Sequence, residues 1–406
     1  MLTMRLSSAA SNGITRRLFQ GSLLGMAAGA ALGAKAPAGP PVLLGIDGEF
    51  GLANSTSAQA VELGVRVAVE QINEAGGVLG GRPLEVLTKD HRSIPARGIR
   101  NIEEFAAMPE LVAVFGARFS PVVIEELPTL KQAKIPFLAV WSAADAIVDN
   151  GSVPNYAFRL SLRDSLAMPF MMESARQRGI ERVGLLLTNT AWGRSNLAAV
   201  DKYAAAHKLP RVVSTAWYNW QEHTLVDKYV KLLDAGAQAI LLVANDDEAA
   251  VLVNEVAALP KERHIPLFSH WGVTGGRFFS AAHEGLKSVE FNVVQTFSFF
   301  RARKPQLDHF MATAARFNIR RIEDIESPVG TAHAYDMTHI LAKAIAIAGK
   351  VDRAAIRDAL EKVPLHDGLV KRYAPPFTPT RHEALGPTEL LLARYRDDGT
   401  LVPIES

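Results

Sequence analysis

The 406-residue chain contains no cysteine. That excludes disulfides, thiolate metal sites, cysteine nucleophiles and lipid attachment at an N-terminal cysteine. Aromatic residues make up only 7% of the chain, so the positions of its five tryptophans carry information. Charge of one sign is also lacking. The formal net charge is +2 with no basic run, which argues against a nucleic-acid partner. Beyond the N-terminal segment, no apolar run approaches the roughly 20 residues needed to cross about 30 Å of hydrocarbon. Catalytic signatures are missing as well. There is no G-x-S-x-G elbow, no HExxH and no P-loop lysine motif. The glycine run Gly76–Gly81 follows a helical pattern instead of a strand, and the first strand leads into Gly45-Ile46-Asp47-Gly48-Glu49-Phe50-Gly51. Neither fits a dinucleotide-binding turn, so a nicotinamide oxidoreductase is the weaker alternative. No enzyme activity, cofactor or metal is expected. His264 with His270, or His333 with His339, would be metal pairs only in the less common reading, since scattered histidines are more often surface groups.

The first 38 residues hold four basic residues and no acidic one. They read as an export leader. Thr15-Arg16-Arg17-Leu18-Phe19 fits a twin-arginine signal, with Arg16 and Arg17 as its pair, followed by the short apolar segment Ser22 to Ala34. Removing those four from the 44 Lys and Arg leaves 40 against 42 Asp and Glu, a near-neutral remainder. Export also agrees with the missing thiols.

The remainder is too long for one core, so two lobes are expected. Short continuous apolar runs alternate with amphipathic segments. The strand candidates are Val42–Ile46, Leu84–Thr88, Val112–Phe115, Phe137–Val140, Val183–Leu187, Val212–Ala216, Ala239–Ala244, Pro266–Ser269 and Phe291–Gln295. Unbroken apolar runs of this length suit parallel strands covered on both faces. Val61, Val65, Ala68 and Ile72 make a helical stripe, and Tyr335 to Ala348 marks a long late helix. Leu390–Arg394 and Leu401–Pro403 flank Asp397-Asp398-Gly399 as a terminal hairpin. The pattern predicts an α/β fold of two doubly wound parallel-sheet lobes around a ligand cleft.

The stretch Ala68 to Asp90, AVEQINEAGGVLGGRPLEVLTKD, resembles the opening helix-turn-strand of the periplasmic solute-binding proteins for branched-chain amino acids, the binding components of ABC importers. The resemblance implies a type I periplasmic binding fold with three interlobe crossings. By that analogy the N-terminal lobe is 41–158 plus 291–365 and the C-terminal lobe is 159–290 plus 366–406. It further implies a small-molecule ligand, an ABC permease in the inner membrane as partner and the periplasm as location, while the Arg16-Arg17 signal gives the twin-arginine export machinery as a second partner.

In open parallel sheets, ligands lie beyond the C-terminal strand ends. After Val112–Phe115 comes Gly116-Ala117-Arg118-Phe119-Ser120-Pro121, where serine before proline predicts a helix N-cap. The resemblance makes Ser120 the holder of a ligand carboxylate, and Arg118 could add a charge-assisted bond. After Phe137–Val140 it gives Trp141 a backbone contact and puts Ala143 where the family has a threonine, with Ser142 as a substitute hydroxyl. Trp192, after Val183–Leu187, matches an aromatic that covers the ligand from the second lobe. Trp271 stands where leucine-type receptors carry an acid for the ammonium. Asn245 and Asp246 follow another strand, and an acid there could replace that partner, although a charged helix start is the plainer reading. Trp217 and Trp220 read as lobe-edge packing. Without an ammonium partner, the expected ligand is a small carboxylate with an apolar or aromatic body. A ligand-sensing module of the same fold is the alternative function.

Overall fold

The structure, a computed structural model, describes residues 39–405. The leader expectation, with Arg16 and Arg17, lies outside these residues.

Two sheets organise the chain. The first contains β1 (Val42–Gly48), β2 (Leu84–Asp90), β3 (Leu111–Gly116), β4 (Phe137–Ala139) and β5 (Ala157–Arg159), in the order β2-β1-β3-β4-β5 with every pair parallel. β3 is buried along its whole length, as a central parallel strand should be, while the edge strand β2 is half exposed. Helices α1 (Ser57–Glu74), α2 (Pro95–Ala106) and α3 (Ser120–Gln132) join these strands. Val61, Val65 and Ala68 on α1 are fully buried. The helix stops because Gly76 and Gly77 adopt φ of 104° and 70°, a left-handed bend that glycine tolerates without Cβ strain.

The second sheet contains β6 (Arg182–Thr188), β7 (Arg211–Tyr218), β8 (Ala239–Val243), β9 (Leu267–Ser269) and β10 (Phe291–Gln295), parallel throughout. Between its strands run α4 (Asp164–Gln177, which leads into β6), α5 (Ala191–Ala206), α6 (Val226–Asp234), α7 (Asp246–Ala257) and α8 (Phe278–Leu286). Beyond β10 come α9 (Lys304–Ala314), α10 (Pro328–Ala348) and α11 (Arg353–Leu360). α10 packs along α1, so this helical stretch belongs with the first sheet. A short hairpin, β11 (His366–Asp367) with β12 (Arg372–Tyr373), follows. The final pair, β13 (Leu391–Tyr395) and β14 (Leu401–Pro403), adds antiparallel strands to β10, giving the order β14-β13-β10-β9-β8-β6-β7.

Two expected boundaries move. β10 lies wholly within the second sheet, so the chain leaves that sheet after Gln295 instead of at Phe291. The tail does not pass to the second sheet at 366. Leu369 N and Val370 N donate to Asp336 on α10, His382 Nδ1 lies 2.8 Å from Ala157 O, and Phe377 stacks edge-on to Phe158. The segment from His366 to Leu385 therefore packs against the first sheet and its helices, and only β13 and β14 join the second. Burial of a few anchoring side chains decides this, and composition does not show it.

Among the described residues no helix is long and apolar enough to cross a membrane.

Candidate functional site

Residues that follow six strand ends converge on one cavity. Arg118, Phe119, Ser120 and Pro121 come from the loop after β3, and Trp141 and Ala143 from the loop after β4. On the other side stand Trp192 after β6, Trp220 after β7, Asn245 after β8, and Trp271 with Gly272 after β9. The lobes are closed on one another here, and the free volume is only about 10 Å³. That is about one water's worth, against roughly 300–1,000 Å³ for small-molecule sites, so a ligand enters only when the lobes part.

Ser120 is the first helical residue of α3, with Phe119 in the cap position, so the expected N-cap is shifted by one. Its hydroxyl makes no cap bond. Instead Oγ accepts from Ala143 N and Ala144 N, both at 3.2 Å. This ties the β3 and β4 loops together and leaves the hydroxyl hydrogen free to donate. Ser142 is buried behind the cavity wall with its Oγ unpartnered and does not line the cavity. The main chain of this loop is held from below. Arg159 Nη1 binds Ser142 O at 3.3 Å and Ala144 O at 2.9 Å, while the rest of its guanidinium forms a fork with Glu383, with Nη2 2.7 Å from Oε1.

The aromatic walls come from both lobes. Trp141 and Trp271 are almost fully buried with ring centres 6.2 Å apart. The Trp141 ring lies against Gly330 on α10, where a Cβ would come within 2.2 Å of Cζ3, so a larger residue at 330 would displace the indole. Trp192 sits in the first turn of α5. Its Nε1 donates to Asp164 Oδ1 at 3.1 Å, and His270 Nε2 meets the same oxygen at 3.1 Å. Trp192 and His270 pack edge to face. Trp220, expected at a lobe edge, instead lines the cavity and meets Phe119 edge-on at 5.3 Å. Trp217 packs near Gly193 outside the cavity.

Arg118 is buried. Its Nη1 pairs with Asp246 and binds Gly272 O at 3.1 Å, and Nη2 reaches Ser55 Oγ at 3.3 Å. Burial works against the guanidinium charge, yet the carboxylates of Asp246 and Glu49 hold its pKa above the ordinary value. Asp246 starts α7, so the acid considered as an ammonium partner is instead engaged by arginine. Burial raises the pKa of the following acids, Asp247 and Glu248.

Four residues lining the cavity carry buried polar atoms without a partner: Arg118 Nε, Trp141 Nε1, Trp220 Nε1 and Asn245 Oδ1. Three of these are N–H donors. No aspartate or glutamate lines the cavity. Sequence reasoning missed Trp220, Phe119 and the support from Arg159, Glu383 and Asp164. An aromatic at each further strand end was the only available signal, since the others depend on tertiary placement. His270 and His333, raised as members of metal pairs, have other neighbours. His270 faces Asp164, and His333 lies 3.0 Å from Thr296 Oγ1 with burial pushing its pKa down to about 4.

Two parallel-sheet lobes meet over a cavity built from strand-end loops, the place where open α/β sheets bind ligands. The chain belongs to the periplasmic binding protein family, whose pattern matches residues 42–400. Its fold is that of the type I periplasmic binding proteins. A periplasmic binding protein type 1 from Bordetella pertussis Tohama I superposes with a TM-score of 0.79 at 21% identity, covering 90% of this chain and 100% of that one. The branched-chain amino acid transporter substrate-binding protein LivJ from Streptococcus pneumoniae, in complex with isoleucine, gives 0.73 at 18% identity, over 90% and 100% of the two chains. A solute-binding protein of an ABC transporter from R. palustris, in complex with 4-hydroxybenzoate, gives 0.74 at 18% identity, over 90% and 96%. No curated protein matches the chain in sequence.

Proposed function

We propose that this chain is the substrate-binding component of an ABC importer and captures a small carboxylate with an apolar or aromatic body. It would be exported through its twin-arginine leader, work in the periplasm and deliver the ligand to an inner-membrane permease. One observation carries the ligand reading: the cavity offers unpartnered N–H donors and no free acid. A carboxylate supplies the acceptors those donors lack. A zwitterionic amino acid would also bury an ammonium, and an unpaired buried charge costs several kcal/mol by rough reckoning. In this reading Ser120, Trp141, Trp220 and the Ala143 loop hold the carboxylate, Trp192 and Trp271 enclose the body, and Asn245 accepts from a ligand hydroxyl. The R. palustris relative, bound to 4-hydroxybenzoate, supports an aromatic acid as a ligand type within this fold. The ligand docks on the first lobe, and the second then closes, shifting an open–closed equilibrium by its preference for the closed form.

Calorimetric titration with benzoate, 4-hydroxybenzoate, isoleucine and leucine tests this. Binding of the ammonium-free acids and none of leucine is expected. Tight leucine binding with no heat from either aromatic acid would overturn it.

A further inference from the structure

The lobes are also joined by contacts at the rim, of which only those of Arg118 involve residues that line the cavity. Thr56 N donates to Gly275 O at 2.8 Å, and Ser55 Oγ donates to the same oxygen at 3.2 Å. Ser327 Oγ donates to Thr274 O. Arg118 Nη1 binds Gly272 O and Asp246. Asn54 Nδ2 donates to Asp247 Oδ1 at 3.2 Å. Every donor belongs to the first lobe and every acceptor to the second. Behind Arg118, Glu49 is fully buried and accepts from Ser57, with its Oε1 3.2 Å from Ser55 Oγ, the hydroxyl that touches the guanidinium. Gly275 permits the approach, since a Cβ there would lie 2.8 Å from Arg118 Cδ.

The charge pair gives this rim its selectivity for one closed geometry. In an open molecule both ions regain water, so the intact pair contributes little net free energy to closure. Removing one partner is different, because closure must then bury the other charge unpaired. Nη1 of Arg118 is engaged across the cleft by Asp246 and Gly272 O, while Nη2 is held within its own lobe by Ser55 Oγ.

We propose that Arg118 is a closure-positioning residue: with Asp246 and the carbonyls of Gly272, Thr274 and Gly275 it forms a clasp that sets the open–closed balance of the lobes independently of the ligand. The clasp stands whatever the cavity binds, so its test needs no ligand and does not share the fate of the carboxylate reading.

The absence of cysteine allows clean labelling. Spin labels go on Glu103→Cys and Lys261→Cys, both exposed, one on each lobe. Pulsed electron resonance then reads the interlobe distance in the protein without added ligand. Asp246→Asn should lengthen the distance and lower the closed-to-open ratio at least about tenfold. Restoring no charge but removing one neutral bond, Ser327→Ala should shift the distribution the same way by a smaller factor. A folded Asp246→Asn protein with an unchanged distribution overturns the clasp. If that variant does not fold, Ser327→Ala decides: a longer distance supports the clasp and an unchanged one overturns it.

Discussion

Two buried polar regions of this molecule are built on opposite principles. Around Asp336 on α10, both carboxylate oxygens are used. Leu369 N donates to one at 2.7 Å, and Val370 N and Tyr373 Oη donate to the other at 2.9 Å. In the cleft, the indole N–H groups of Trp141 and Trp220 have no partner at all. An unmade buried hydrogen bond costs roughly 1–3 kcal/mol, so the first region supports the fold while the second is maintained at its expense. The difference teaches where a ligand belongs. A third region refines the rule. Asp47 and Glu126 meet beneath the first sheet, each with one unpartnered oxygen, although Asn101 Nδ2 donates to Asp47 at 2.7 Å. A carboxyl can resolve such a deficit by keeping its own proton. An indole N–H cannot, and needs an acceptor from outside.

The largest effect should come from the satisfied region. Asp336→Ala strands two amides and a phenol and should lower stability by about 3–5 kcal/mol, read by chemical denaturation. Affinity of the folded fraction should not change. A loss below about 1 kcal/mol would erase the contrast between the two regions.

The carboxyl pair predicts a pH dependence. Burial pushes Glu126 up to about 7 from an ordinary 4.5, and burial also raises Asp47, helped by the neighbouring Glu126. The folded state therefore holds a proton that the unfolded chain releases earlier. Below the unfolded value both forms are protonated and no penalty arises. As pH rises from the unfolded value through the folded one, stability falls, by about 3 kcal/mol for such a shift. Glu126→Gln should reduce that slope, leaving the part due to buried Asp47, so its stability relative to wild type should improve between pH 5 and pH 8. A parallel pH profile for the two proteins would show that the pair does not share a retained proton.

Much of the fold is legible in the sequence because parallel strands buried on both faces leave unbroken apolar runs, as in Ala239–Val243 and Leu111–Gly116. β5 escapes that signal, since it has three residues and ends in the charged Arg159. The tail escapes it too, because His366 to Leu385 is placed by single anchors to Asp336 and Ala157. In the cleft, strand-end loops can be found from the strands alone. What cannot be read is which groups pair across it. Arg118 and Asp246 are 128 residues apart, and only lobe closure makes them partners. Trp220 is hidden for the same reason, since its neighbour Phe119 lies on the other lobe.

Within the cleft, Trp192→Ala should weaken binding of 4-hydroxybenzoate by about 1–3 kcal/mol through loss of a large aromatic wall, measured by calorimetry. Unchanged affinity would remove Trp192 from the binding surface. The finest test is Trp141→Phe, which keeps a ring against Gly330 and Trp271 but deletes the unpartnered N–H. In a region that exists to stabilise the fold, losing a polar group lowers stability. Here the deleted donor has no protein partner, so melting temperature should hold or rise slightly while affinity for the acid falls by about 1 kcal/mol. The two readouts must move in opposite senses, because one donor is a liability without ligand and a contact with it. A variant that loses stability and keeps its affinity would mean that the indole N–H serves the fold, and that the cleft and the Asp336 region are built alike.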